Sequence, residues 1–147
     1  LKEENLDAFT QRFLKLAADE IIPEQMTPQI DIDAVLDLQD INSKFMSELK
    51  KMNPFGPDNQ KPVFCSLGVK DYGTSKLVGK DLEHIKLELI DDKSNTPIHG
   101  IAFGMRQHNT HIKNMKPFNI CYTIEENTYN GNTSLQLMVK DIKENDI

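Results

Sequence analysis

The chain has 147 residues, of which 38% are hydrophobic, and a formal net charge of -6. That length suits one globular domain or a small domain with an appendage. No apolar run approaches the roughly 20 residues that cross a bilayer, and no signal-peptide pattern opens the sequence. An acidic total argues against a general nucleic-acid binder. The charge is uneven, however: residues 1–53 hold 6 Lys+Arg against 11 Asp+Glu, whereas residues 61–120 hold 9 against 6.

Residues 4–21 carry Leu6, Phe9, Phe13, Leu16 and Ala17 at three- and four-residue steps, which predicts an amphipathic helix with Asn5 as its cap and Pro23 as its stop. In "QIDIDAVLDLQD" the residues Ile30, Ile32 and Ala34 alternate with polar neighbours, predicting a short extended segment. The aspartates at 31, 33, 37 and 40 lack a nearby histidine or glutamate, so a metal site is disfavoured and Asp40 reads as a helix cap. A second helix is expected over about 41–52, with Ile41, Phe45, Leu49 and Met52 on one stripe. "NPFGPDNQKPVF" (53–64) is too proline-rich for a helix or a central strand and too apolar for a solvent linker. It reads as a folded joint packed down by Phe55 and Phe64.

Beyond it the apolar period changes from helical to alternating. "PVFCSLGVK" (62–70) places Val63, Cys65, Leu67 and Val69 on one face. "HIKLELID" (84–91) turns Ile85, Leu87 and Leu89 inward. "PIHGIAFG" (97–104) is a third strand, with the small residues Gly100 and Ala102 opposite the bulky ones and the inward side left open. "FNICYTIEE" (118–126) alternates Phe118, Ile120, Tyr122 and Ile124 against polar residues, and "TSLQLMVKDI" (133–142) repeats the pattern with Leu135, Leu137 and Val139. Asn130-Gly131 is the favoured pair for a type I′ hairpin between the last two strands. "MRQHNTHIKNMK" (105–116) has room for one short helix.

The predicted class is therefore mainly β with N-terminal helices: a five-stranded, OB-fold-like Greek-key barrel with a short helix between strands three and four. Strand pattern alone leaves an SH3-like barrel or a short sandwich open. Residues 1–53 read as connector helices and 54–147 as the barrel. Cys65 and Cys121 read as two reduced, buried thiols of a cytoplasmic protein rather than a secreted staple.

OB-folds hold single strands across strands two and three and the flanking loops, with basic groups for phosphates and rings for bases. The candidates in those places are Lys76, Lys80, His84, Lys86, Phe103, Arg106 and Tyr129, with His108, Lys113 and Lys116 as further positive or protonatable groups. An ordinary solvated surface is the alternative reading of the lysines. Tyr72, like Tyr129, lies at a strand end, where a ring either stacks or caps the barrel. His108 and His111 supply only half of a metal site. Glu125 and Glu126 are neighbours on a strand and point to opposite faces, and no phosphate loop or strained nucleophile turn is present. No catalytic centre is expected in this chain.

Several stretches together resemble the C-terminal part of RecJ-type single-strand-specific DNA exonucleases. In "NPFGPDNQKPVF" the residues Pro54, Phe55, Gly56, Pro57, Asn59, Pro62 and Phe64 match that family's segment, while Asp58 stands where it has a second glycine. If that glycine adopts a positive φ, Asp58 is slightly strained there. "VGKDLEHIKLEL" (78–89), "IAFGM" (101–105) and "EENTYNGNTSLQLMVKDI" (125–142) are similar to later strands and the final hairpin, so the likeness covers about residues 54–143. "LKEENLDAFTQRF" looks like the segment just after the family's last catalytic motif. The resemblance implies a fragment holding the OB-type DNA-binding barrel, cut from a longer enzyme that degrades single-stranded DNA from its 5′ end with Mn²⁺ or Mg²⁺. It implies single-stranded DNA and the N-terminal catalytic domains as partners. It leaves room for a helicase or a single-strand-binding protein as a further partner, and the other role open to the barrel is protein docking.

Overall fold

In the computed structural model, residues 2–22 and 28–145 are described, Tyr129 by its backbone alone. They fall into two units, Leu1–Asp31 and Ile32–Ile147. In the first, a 3-10 turn (Glu3–Asn5) runs into helix α1 (Leu6–Glu20). Its repeat of Leu6, Phe9, Phe13 and Leu16 makes an exposed apolar stripe, with the rings of Phe9 and Phe13 stacked at 6.0 Å. Asn5 makes no side-chain cap bond. The preceding turn already holds its backbone in a helical conformation, whereas a capping side chain needs an extended one. The expected stop at Pro23 lies outside the described residues.

The second unit follows the order β1 (Ala34–Val35), α2 (Ser43–Lys50), β2 (Phe64–Asp71), β3 (Lys76–Val78), β4 (His84–Ile90), β5 (Ile98–Ala102), α3 (Asn109–Lys113), β6 (Phe118–Tyr129) and β7 (Asn132–Glu144). Alternating side chains give each long strand one apolar face, and those faces are buried together by closing the sheet on itself. Around the ring, β2 pairs with β6, β6 with β7, β7 with β5 in parallel, β5 with β4, and β4 back to β2 through Lys70↔Ile90 and Asp71↔Leu89. This is the expected five-stranded OB-fold barrel, with the short helix α3 between its third and fourth strands. Two short strands join the barrel: β1, at the end of the segment expected to be extended, and β3, which was not foreseen. β1 lies parallel to β2, and β3 lies antiparallel to β4 as an outer edge.

Ile85, Leu87, Leu89, Phe118, Ile120, Tyr122, Ile124 and Leu137 fill the barrel, each 0–1% exposed. On β5 the small side faces inward: Ala102 is fully buried, and a methyl on Gly100 would lie 3.4 Å from the Leu137 carbonyl and 3.5 Å from the Leu87 side chain. Glycine there lets β5 approach its neighbours closely.

β2 corrects the expected face. Phe64 and Ser66 point inward, where the Ser66 and Tyr122 hydroxyls share a 2.7 Å hydrogen bond, and Leu67 is exposed. The register against β6 slips between Ser66 and Val69, with Gly68 at φ +66°; this bulge returns Val69 to the core. A second slip faces Lys140 on β7, so the buried set passes from Val139 to Ile142.

α2 starts two residues later than its apolar stripe suggests. Asn42, not Asp40, caps it, its Oδ1 accepting the Phe45 N–H at 3.0 Å, while Asp40 ends a 3-10 turn (Leu38–Asp40). The proline-rich joint bonds to itself. Gly56 and Asn59 exchange backbone hydrogen bonds, and Asn59 Nδ2 donates to the carbonyls of Met52 and Pro54. Phe64 packs edge-on to Phe45 of α2 at 5.5 Å. Among the described residues the left-handed non-glycine positions are Leu82, Met115 and Asn130, so Asp58 carries no such strain. Asn130 and Gly131, at φ 50° and 79°, form the expected hairpin turn.

Candidate nucleic-acid interface

The alternation that buries Ile85, Leu87 and Leu89 sends His84, Lys86 and Glu88 to the outer face of β4. Strand β3 adds a row beside them, in which Lys76 stands directly opposite Lys86, Leu77 opposite Ile85 and Val78 opposite His84. Directly opposed residues project to the same face with their Cβ atoms about 4.5–5.5 Å apart. Two exposed lysines thus project from neighbouring positions on one face, and neither has a carboxylate within 4 Å among the described residues. Such a pair repels itself and gains from an anion placed between its members.

At one end of these strands a second group converges. The Gly104 N–H, just past β5, donates to His84 Nδ1 at 3.0 Å, and Glu83 Oε1 lies 3.2 Å from His84 Nε2. Acceptance at Nδ1 places the ring proton on Nε2, pointing to Glu83. The ring so held stands edge-on to Phe103 at 4.9 Å, while Phe103 itself is 55% exposed. His84 is therefore engaged on both nitrogens and positions an exposed aromatic face.

Its partner Glu83 sits in a tight loop. Hydrogen bonds from its own backbone N–H and that of Asp81 hold the Glu83 carboxyl below the usual carboxylate range, against a smaller opposing effect of burial. Gly79, at φ +96°, leaves the room: a methyl there would meet the Glu83 carboxylate at 2.9 Å. Arg106 reaches the same loop, Nη1 donating to the Asp81 carbonyl at 3.4 Å, and Lys80 is exposed within it.

Toward the other side, a groove of about 370 Å³ is lined by Lys86, His99, Asn127, Ser134 and Gln136. It joins the β4–β5 face to the root of the β6–β7 hairpin, the element that carries Tyr129 near its tip, where the Tyr129 backbone pairs with Asn132. His99, Ser134 and Gln136 escaped the sequence reading. His99 is signalled by its outward place on the third strand, but Ser134 and Gln136 join it only through the parallel β5–β7 pairing (His99↔Gln136). Tyr72 is half exposed beside β4, its backbone N–H donating to the Glu88 carbonyl.

Of the groups expected around α3, Lys116 is exposed, whereas the histidines and Lys113 face carboxylates. His108 Nδ1 and His111 Nδ1 face the two oxygens of Glu144 at 2.8 and 3.2 Å, and Lys113 lies 3.8 Å from the buried Asp71. Among the described residues no three His, Cys, Asp or Glu side chains group as metal ligands. Asp33 and Asp37 are likewise engaged, Asp33 by the Val63 N–H and Asp37 by Lys93. No helix of the described residues is long and apolar enough to cross a membrane.

The chain as a whole is similar to known proteins. Single-stranded-DNA-specific exonuclease RecJ of Haemophilus influenzae is 25% identical over 143 residues, spanning 97% of this chain and 24% of that protein. RecJ of Bacillus subtilis is 25% identical over 142 residues, 96% of this chain and 18% of its own length. The chain thus spans about a quarter or less of these curated relatives. Crystal structures of RecJ from Thermus thermophilus with Mn²⁺ and with Mg²⁺ share its fold at TM-scores of 0.75 and 0.74 and 17% identity, covering the whole of this chain and 20% and 21% of theirs. Residues 32–141, the barrel with the segment leading into it, match the RecJ OB domain, and the chain belongs to that family.

Proposed function

We propose that this barrel is the single-stranded-DNA-binding domain of a RecJ-like exonuclease. The observation that carries the reading is the opposed pair Lys76 and Lys86, unpartnered on a face that also presents Phe103. The pair supplies phosphate contacts, and Phe103 supplies a stacking surface that any base can use. His84 positions Phe103, while Lys80 and Arg106 extend the positive path along the loop end. The groove at His99 continues the face toward the β6–β7 hairpin, on which Tyr129 is a further proposed contact.

In this reading residues 1–53 connect the barrel to a catalytic body, and the whole protein hydrolyses single strands from the 5′ end during repair and recombination in the cytoplasm. This reading assigns to that body the Mn²⁺ or Mg²⁺ with which the similar RecJ structures were solved. This chain alone is then inactive as a nuclease. The test is titration of the chain with a fluorescent oligo-dT over a range of salt. Binding whose logarithm falls linearly with log[salt] supports the reading; no binding at low salt sinks it.

A second reading makes the barrel a docking module for the nuclease core, a helicase or a single-strand-binding protein. It draws on an apolar groove of about 320 Å³ between Phe45, Leu49, Met52, Pro62 and Phe64. Charge reversal at Lys80 and Lys86 separates the two, because only the first predicts that oligonucleotide binding is lost.

A further inference from the structure

Cys65 on β2 and Cys121 on β6 are direct partners across an antiparallel ladder, and both are free thiols. Their strand neighbours Phe64, Ser66, Ile120 and Tyr122 point into the barrel, so both cysteines project to its outer side. Opposed residues in such a ladder have Cα atoms about 4.5 or 5.5 Å apart. Both spacings fall within the range of about 4.4–6.8 Å that a disulfide spans. The strand register therefore sets the two Cα atoms at a separation a disulfide spans, and closing the bond draws the Cβ atoms from the cross-strand spacing of about 4.5–5.5 Å toward about 3.5–4.5 Å.

We propose that Cys65 and Cys121 form a thiol–disulfide site, oxidised by low-molecular-weight disulfides, that staples β2 to β6. Access sets the order of events, because Cys65 is 6% exposed while Cys121 is only half-buried. The Cys121 thiolate attacks one sulfur of the reagent, the reagent S–S bond breaks, and one thiolate departs. The Cys65 thiolate then attacks Cys121 Sγ of the mixed disulfide and expels the second. The protons of both cysteines end on the two released thiols. The protein loses two electrons and the reagent gains them.

Burial pushes the Cys121 thiol up to about 11, and the adjacent Cys65 adds to the shift. The first step is accordingly slow near neutrality and accelerates about tenfold per pH unit below that value.

The folded chain is incubated with oxidised glutathione between pH 7 and 9 and followed by intact mass and by thiol titration after denaturation. Expected is joint loss of both thiols, a mass lower by two hydrogens, a rate rising with pH and reversal by dithiothreitol. Cys65→Ser should stop at the glutathione adduct on Cys121. The proposal is overturned if the unsubstituted chain keeps both thiols, retains a stable adduct beside a free Cys65, or links through cysteine to a second chain.

Discussion

Lys76 of β3 and Lys86 of β4 are direct partners across the outer ladder, and neither has a carboxylate within 4 Å among the described residues. A like-charge pair in that position costs stability in the free protein and contributes to anion binding. Lys86→Glu inverts both effects. It creates an attractive cross-strand pair with Lys76, so the melting temperature should rise slightly. Oligonucleotide affinity should fall by about tenfold at low salt, and the slope of log K against log[salt] should shrink by about 0.7 for each phosphate no longer neutralised. A variant that melts higher and binds unchanged would remove this pair from the interface.

Phe103 separates stacking from folding. Its ring is 55% exposed and touches His84 edge-on, so truncation opens no core cavity. Phe103→Ala should leave the thermal midpoint nearly unchanged and weaken single-strand binding by about 1–3 kcal/mol, the usual worth of one base–aromatic stack. Unlike the lysine change, it should not alter the salt slope. Parallel melting and anisotropy measurements check both halves.

Tyr122 is fully buried, and its hydroxyl is bonded to Ser66. Tyr122→Phe removes that bond while Ser66 Oγ keeps its 2.7 Å bond to the Leu36 carbonyl, so it should cost about 0.5–1.5 kcal/mol in urea unfolding. Burial raises the Tyr122 hydroxyl far above its ordinary pKa, outweighing the opposing Ser66 bond. Its contribution is complete below the unfolded tyrosine value of about 10 and is lost as pH climbs toward the raised folded value. Spectrophotometric titration of the folded chain should show Tyr122 ionising only with alkaline unfolding. Ionisation alongside solvent tyrosines would contradict the burial.

Asp91 ties the barrel to the segment before α2, with Oδ2 accepting the Leu38 N–H at 2.8 Å and Oδ1 the Lys93 N–H at 3.0 Å. Burial pushes its carboxyl up, but the bonds from Leu38, Ser94 and Lys93 together hold it below the usual range. The stabilisation is present above the unfolded value of about 3.9 and disappears as pH falls through the lowered folded one. Asp91→Ala should cost about 1–3 kcal/mol at pH 7, with the gap to the unsubstituted chain closing in acid. A gap that stays constant down to about pH 2, below the unfolded carboxyl's range, would rule out the ionised carboxylate as its source.

Much of this architecture is legible in the residues taken in order. Period-two alternation marks the five barrel strands, Asn130-Gly131 marks the last hairpin, and the proline-rich joint carries the family's pattern. These signals are local, because side chains on a strand alternate wherever it pairs and a type I′ turn needs two left-handed residues in succession. The outward places of Lys86 and His84 follow from the same alternation.

What only the tertiary structure decided depends on register between distant segments. The bulge at Gly68 turns Ser66 inward and Leu67 out, reversing the face that alternation predicts for the first half of β2. Lys76 joins Lys86 because three residues with no strand signal of their own find an open edge on β4. His84 becomes a prop for Phe103 through Gly104, and Cys65 meets Cys121 only because β2 and β6 are neighbours in the closed ring. Periodicity shows which residues share a face. Which faces meet, and at what offset, is settled by ladder hydrogen bonds and core packing summed over the whole barrel.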